Sequence, residues 1–503
     1  MRYAILLVIV IVIVSSGLLY SLNKTEEDIR CKDCNLIMIS LSNVSAEHMS
    51  LYGYERLTTP SLDEWAKDAI VFENAFAQTS WTLPTATSLF TSLYPYSHKI
   101  MDRFVDNVLD ENIETLPEIL QERGYKTAAF VGGLDYSSSF GHMRGFGEVD
   151  EAMDVNMMAI SFAGFGSTLA KGLEWLEGNA ENKFFLFLHG YDAHCPFDPP
   201  QHLKGTFSTT QDRNITVDNK ICLRGFEVPQ GKGYEAYYYR DKAEKVTLTQ
   251  DDIMYLEELY DEEILSVDGL VGRFLGALDG VVPPNTIIVV FSDHGEVFAK
   301  HGRFGRAGGV RGTLYDEVLH IPMLIKIPEQ NGRRISGLVQ IIDFMPGIFD
   351  ILEIPKPEQA QGKSVLPLLR GKESEINDYV FTGSEFGAQE GRLAWLFYKE
   401  QSVSESLRSK EWKLIYEVQL DEGREIKEES YELYNLIHDP GELRNLIGGL
   451  PVETDGLPVQ VSRLRKILEN WADEAKSYDA KATSEPQLLP PKIIEASKEH
   501  GYW

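Results

Sequence analysis

Positive charge is what this chain most conspicuously lacks. It sets 48 Lys and Arg against 77 Asp and Glu, a net charge of −29 over 503 residues. A phosphate backbone is gripped by cations, so nucleic acid is excluded as a partner, and so is general adhesion to anionic surfaces. A local anionic group held by a metal or a few cations is not excluded. Cysteine is scarce as well, with four in the whole chain, which rules out a disulfide-built scaffold, and no second C-x-x-C pair completes a zinc site. Cys31 and Cys34, in "CKDC", read as a structural pair, and Cys195 and Cys222 leave a bridge across the intervening loop open. No internal repeat occurs. Apolar and aromatic residues, at 43% and 11%, are abundant enough for a large core, so the chain is globular.

A long uncharged run occurs at the amino terminus, "MRYAILLVIVIVIVSSGLLYSLNKTEEDIR". Residues 4–22 carry no charge and, as a helix, span roughly 29 Å. Arg2 precedes the run and Glu26, Glu27 and Asp28 follow it, which places the bulk of the protein outside the cytoplasm. A retained single-pass anchor is expected, with a cleaved signal peptide as the alternative; the missing small-x-small site favours the anchor. Asn23, Asn43 and Asn214 begin glycosylation sequons, which matter only in an organism that uses them.

Apolar, β-rich runs recur beyond it: "NLIMISL" (35–41), "KTAAFV" (126–131), "FFLFL" (184–188), "TIIVVF" (286–291) and "IPMLIKI" (321–327). Helical patterns lie between them, in "PSLDEWAKDA", "LPEILQERG", "GSTLAKGLEWLEG" and a long stretch over 251–278. In the last, Ile253, Leu256, Leu259, Tyr260, Ile264, Val267, Val271, Phe274 and Leu278 repeat at helical spacing. Alternating strands and helices predict an α/β fold, a largely parallel sheet covered on both faces. From about residue 371 the alternation lapses into a polar, acidic region. A hairpin-like pair, "EWKLIYEV" and "SYELYNLI", and a helix around 458–474 then predict a smaller α+β domain. The organisation read from sequence is 1–33 anchor or signal segment and linker, 34–370 catalytic domain, and 371–503 smaller domain with a loosely ordered tail after 480.

In an open α/β sheet, chemistry collects at the carboxyl ends of the strands. Strand 286–291 ends in "SDHGE", where Asp293 and His294 are adjacent metal-ligand types and Gly295 permits a tight turn. Strand 184–188 ends in "HGYDAHCPF", placing His189, Asp192 and His194 within six residues. His301 follows in "KHGRFG" and Arg311 in "GGVRGTLYDE". Each is unremarkable singly; their gathering at successive strand ends points to a site.

The segments "LYGYERLTTPSLDEWAKDAIVFENAFAQTSWTLPTATSLFTSLYPYSHKI", "LPEILQERGYKTAAFVGG", "FSDHGEVFAKHGRFG", "TLYDEVLHIPMLIKIP" and "YELYNLIHDPGELRNLIG" resemble, in order, the sulfatase family of the alkaline phosphatase superfamily. The resemblance runs over about residues 35–447. It implies an alkaline-phosphatase-like mixed sheet flanked by helices, a divalent metal at the strand ends, and hydrolysis or transfer of sulfate or phosphate esters. It also implies a role for each matching position. Where sulfatases carry Cys-x-Pro-x-Arg, with a cysteine converted to formylglycine, this chain reads "TLPTA": Thr82, Pro84 and Ala86. Without cysteine or serine at 82 no formylglycine forms. The superfamily's phosphoesterases use Thr or Ser there as the nucleophile, metal-activated and passing through a covalent ester. An N-cap threonine at the start of the following helix is the alternative for Thr82, compatible with the first role. The neighbouring hydroxyls of Thr85, Thr87, Ser88, Thr91 and Ser92 read as helix surface and packing.

At the end of the first strand, where the family places aspartate, stand Ser42 and Asn43. The metal set that remains is Asp293, His294, Thr82 and Asn43, short of anionic oxygen for calcium or magnesium and better suited to manganese or zinc. Glu47 matches a separate acidic position of the family. Gly133 falls where the family has a lysine, and Arg311 where a lysine or histidine is usual, leaving Arg311 to grip a tetrahedral anion or serve as a spectator ion pair. His194 matches the leaving-group histidine, and the remaining substrate-side candidates are His189, Asp192 and His301. The implied substrate is a sulfated or phosphorylated glycan, lipid or small ester. The alternative is a weakened relative that binds an anionic glycan or lipid head group without turning it over.

Overall fold

The computed structural model describes residues 29–101, 108–151, 153–156, 159–162, 164–210, 213–219, 226–227, 234–236, 246–304, 313–386, 401–420, 425–448 and 459–478. The expected anchor at residues 4–22, the tail after 480, Cys222 and Arg311 lie outside them. Among the described residues no helix is long and apolar enough to cross a membrane.

Nine strands form the main sheet. We number them β1 Asn35–Ser40, β2 Ile70–Phe76, β3 Lys126–Val131, β4 Glu148–Glu151, β5 Phe184–His189, β6 Thr286–Phe291, β7 His320–Ile321, β8 Met323–Lys326 and β9 Arg333–Gln340. Their order is β7-β2-β8-β6-β1-β5-β3-β4, with β9 on β2. The centre, β6-β1-β5-β3, is parallel, while β8 runs antiparallel to both β6 and β2. The sheet is therefore mixed, as the family resemblance implied. The strand expected over 321–327 is divided: Pro322 has no N–H to give a ladder, and the chain makes two short strands on either side of it. β2 and β9 escaped the sequence reading because "IVFENAF" and "RRISGLVQ" interrupt their apolar residues with polar ones, although β2 is paired on both sides.

Period-two alternation on the central strands divides the core between the two faces. Leu36 and Met38 of β1, with Ile287, Val289 and Phe291 of β6, enter one cluster. Ile37, Ile39, Ile288 and Val290 enter the other. Each such side chain contributes about 1.5–3 kcal/mol by leaving water.

Helices cover both faces: α1 Pro60–Trp65, α2 Thr82–Thr91, α3 Leu116–Glu122, α4 Phe165–Asn179, α5 Gln250–Ala277 and α6 Phe344–Leu352. α5 begins at a capping box of Thr249 and Asp252 and buries the predicted stripe from Ile253 to Phe274. Its buried polar positions organise the surrounding loops. Asp268 accepts the Ser61 and Leu62 N–H groups at the start of α1, each at 2.8 Å, and Glu262 Oε1 accepts those of Gly205, Phe207 and Ser208.

A four-stranded antiparallel sheet follows: β10 Val380–Phe386, β11 Gln401–Arg408, β12 Trp412–Leu420 and β13 Ile426–Asn435. The hairpin read from sequence is β12–β13, and β10 and β11 come from the region that looked merely polar and acidic. Helix α7, Val459–Ser477, packs Leu464, Leu468 and Trp471 against Leu407, Leu414 and Leu433. The two sheets meet through buried charge. Lys413 Nζ lies 2.6 Å from Asp316 and 2.8 Å from Glu442, and Arg303 Nη2 lies 2.6 Å from both oxygens of Glu417. Cys31 and Cys34 are bridged, as is Cys195.

His142 shows what this depth of burial does to a titratable group. It is enclosed by Phe90, Tyr136 and Phe140, and neither ring nitrogen has a hydrogen-bond partner among the described residues. Burial pushes its pKa from 6.5 down to about 3, opposed by Asp135 and assisted by Arg144. Because the folded value is the lower one, the unfolded chain takes up the proton first as pH falls. The stability tied to this group is complete above about pH 6.5 and drains away below it. Between pH 7 and 5, wild type should lose about 2 kcal/mol more than His142→Phe in urea unfolding. Equal losses would mean that His142 finds an acceptor in the folded state.

Candidate active site

The carboxyl ends of β1, β5 and β6 converge where the sequence places its candidates. After Ser40 and Leu41, Ser42 and Asn43 both take left-handed backbone, with φ of 54° and 57°. Such residues are held there by their surroundings at a cost of about 1–3 kcal/mol each. The surroundings are specific. Asn43 N–H donates to Asp293 Oδ1 at 2.9 Å, and Tyr260 on α5 donates to the Asn43 carbonyl at 2.6 Å. The Asn43 amide nitrogen donates to the Ala193 carbonyl and to Glu296 Oε2. Two acceptors around that nitrogen fix the amide's orientation and turn Oδ1 the other way, where it has no partner among the described residues.

Asp293 Oδ1 also accepts the His294 N–H at 3.0 Å. Burial alone would raise this carboxyl, yet the His294 and His189 imidazoles and the Asn43 N–H hold it below the usual range. Its Oδ2 has no hydrogen-bond partner among the described residues and stands 3.5 Å from His294 Nε2. His294 Nδ1 lies 2.9 Å from the Gly295 carbonyl, an acceptor only, so the proton sits on Nδ1 and Nε2 presents its lone pair. That lone pair faces the Thr82 hydroxyl at 3.1 Å. Gly295 is required by close packing: a Cβ there would sit 2.5 Å from the Glu317 carbonyl and 2.8 Å from Ser45.

Thr82 is the first residue of α2, and the cap position belongs to Trp81. Its hydroxyl goes to His294 and not to the helix amides, so the N-cap alternative is set aside. All ten residues of α2 are buried, which corrects the expectation of a partly solvated face. Thr87 and Thr91 donate to carbonyls four residues back, Ser88 pairs with His98, and Ser92 donates to Ile342.

His189 is fully buried against Tyr136, ring centroids 4.4 Å apart, with neither nitrogen in a hydrogen bond of normal geometry. Burial lowers its pKa to about 4. His194 bonds the Cys195 carbonyl through Nδ1 and stacks on Tyr191 at 4.1 Å. The same tyrosine accounts for Gly133, whose φ is 88°: a Cβ there would meet the Tyr191 ring at 2.8 Å, so no lysine fits. Asp192 is committed elsewhere, accepting the Phe165 N–H at the start of α4. His301 stacks on Tyr315 at 3.7 Å, beside Lys300, which contacts Glu47 and Glu317. Glu296 and Tyr260 went unnoticed in the sequence; "SDHGE" contains the first, and the second hid in the apolar stripe of α5, where a buried phenol still needs a partner.

The oxygens left without partners, Asn43 Oδ1 and Asp293 Oδ2, are a matched pair of acceptors beside Thr82 and His294. That donor set fits a divalent cation, with one carboxylate only. Among the described residues no three His, Cys, Asp or Glu side chains converge on one point.

A sequence profile described as sulfatase matches residues 34–354, most of the chain, and one described as N-sulphoglucosamine sulphohydrolase, C-terminal, matches 310–465. The chain belongs to the sulfatase family. Its chemistry is accordingly that of a sulfuric ester hydrolase. An N-acetylglucosamine-6-O-sulfatase of Bacteroides thetaiotaomicron is 25% identical over 491 residues, covering 82% of this chain and 82% of its own. Arylsulfatase K of Rattus norvegicus is 22% identical over 490 residues, covering 91% and 82%. A protein solved with its substrate D-glucosamine-2-N,6-O-disulfate superposes on this sulfatase-family chain at a TM-score of 0.64 with 18% identity, over 90% of this chain and 100% of that one. The phosphonate monoester hydrolase of Agrobacterium radiobacter gives 0.64 at 19% identity, over 89% and 96%. At these identities the superpositions speak to fold alone.

Ser42 offers a direct test of the metal position. Its buried hydroxyl has no partner among the described residues, and aspartate tolerates the left-handed backbone found there. Ser42→Asp should tighten Mn²⁺ binding by about tenfold, ~1.4 kcal/mol, in calorimetric titration. Unchanged affinity would show that residue 42 does not face the cation.

Proposed function

We propose that the protein is a membrane-anchored, extracytoplasmic hydrolase of sulfate esters on amino-sugar glycans, with Thr82 as nucleophile. The observation that carries this is the contact between Thr82 Oγ1 and the lone-pair nitrogen of His294, whose other nitrogen is fixed on a backbone carbonyl. A nucleophile, a base and a group that orients the base form the working unit of covalent hydrolysis. The relatives that act on or bind sulfated glucosamine supply the substrate class.

In this reading the Thr82 oxygen attacks sulfur and its proton passes to His294 Nε2. The bond between sulfur and the sugar oxygen breaks, and the proton on His294 is returned to that oxygen. Water then attacks sulfur, the Thr82–sulfate bond breaks, and inorganic sulfate leaves with Thr82 reprotonated. Asp293, Asn43 and Thr82 would hold a divalent cation, and with His294 Nε2 engaged as the base this all-oxygen set suits manganese, which when bound supplies positive charge against the sulfate oxygens. His194 and His189 are assigned to the substrate side in this reading, and Arg311 is the cation for the anionic ester. The run over residues 4–22 anchors the chain, with the acidic residues after it outside the cytoplasm. A weakened, binding-only relative is the second reading, favoured by a single carboxylate where a dication prefers several anionic oxygens.

Full-length protein should hydrolyse glucosamine-6-sulfate or an aryl sulfate, and Thr82→Ala and His294→Ala should each lose about 10³-fold or more in kcat. The double variant should be no worse than either, because the two act as a unit. Activity that persists in Thr82→Ala would remove the nucleophile assignment. Tight binding of the sulfated sugar with no turnover in the wild type would establish the second reading.

A further inference from the structure

The chain enters the folded domain at the edge of the sheet opposite the active site. Ile29 is buried in the core, Arg30 pairs with Glu353, and the Cys31 N–H donates to the Ile351 carbonyl at 2.7 Å. The Cys31–Cys34 bridge closes the next turn. Asp33 then pairs with Lys183, Cys34 O accepts from Tyr125, and Asn35 N–H donates to the Asn285 carbonyl. Lys183, Tyr125 and Asn285 are the residues immediately before β5, β3 and β6. The entry is thus riveted to the amino-terminal edge shared by the four central parallel strands. The site lies past their carboxyl ends, and at ~3.3 Å per residue the strands alone keep Asn43 about 20 Å from Asn35.

Six residues, 23–28, join the apolar run to Ile29 and reach at most ~21 Å even when fully extended. Three of them are acidic, and the chain as a whole carries −29, so the domain is not drawn down flat onto an anionic leaflet. A short stalk fixed to one edge of a sheet sets the direction of the opposite edge. We propose that the site opens away from the membrane that holds the chain. Its ester belongs to a soluble or polymeric glycan approached from the solvent side, not to a head group of the same bilayer. This rests on the anchored reading given above and decides between the glycan and lipid classes that the anionic site alone leaves open.

The test uses full-length protein in liposomes containing an acceptor-labelled lipid. Donor dyes are placed at Glu181→Cys, exposed just before β5, or at Gln201→Cys, exposed in the loop that follows its carboxyl end; the described native cysteines are all disulfide-bonded. Neither position touches the site. Transfer from position 181 should exceed that from 201 about twofold, given a separation along the strands of some ~20 Å. Equal or reversed transfer in protein that floats with the liposomes would overturn the orientation and leave the anchor intact. Protein that fails to float would overturn the anchor and this orientation together, with sulfate ester hydrolysis untouched.

Discussion

The Asp293 carboxylate accepts backbone N–H groups from two directions, from Asn43 beyond the end of β1 and from His294 beyond the end of β6. The two central strands are therefore tied together past the point where their ladder stops. A buried carboxylate is costly in an apolar interior, and charge-assisted bonds of this kind, each worth more than a neutral one, offset the cost. The twin of the accepting oxygen has no hydrogen-bond partner among the described residues and stands beside His294 Nε2. Structure and chemistry share one side chain here, divided between its two oxygens.

The strain at Ser42 and Asn43 follows from that arrangement. Only a left-handed pair turns the Asn43 N–H onto Asp293 while its carbonyl meets Tyr260 and its amide meets Ala193 and Glu296. Asparagine is among the side chains that take such a conformation readily, so residue 43 bears the turn at little cost to the backbone. Gly133, pressed under Tyr191, leaves no room for a longer side chain on that flank.

The sequence made the architecture legible wherever a pattern was long and uniform. β1, β3, β5 and β6 are uninterrupted apolar runs, and α5 repeats for seven turns. β2 and β9 were hidden because a strand with a partly exposed face tolerates polar residues in the same places as a loop. Within the site, Asp293, His294 and Thr82 were visible from their spacing and from resemblance. Their roles as donor or acceptor were not, since these depend on carbonyls such as those of Gly295 and Ala193 that have no sequence signature. Asp192 illustrates the reverse: a carboxylate in the right motif, spent on the amino end of α4.

Lys413 has no exposed surface, and its partners Asp316 and Glu442 come from opposite sides of the junction between the sheets. An ammonium buried with two carboxylates is tolerable only while all three are present; stripping away one partner typically costs about 3–5 kcal/mol, a large share of what any domain has to spare. The smaller sheet is thus no detachable appendage. A ribosome that stops short of β11 releases a chain in which Asp316 has lost both of its cations, Arg408 and Lys413. Such a product is a substrate for proteolysis, not a half-active enzyme, and lesions late in the reading frame act with the force of early ones.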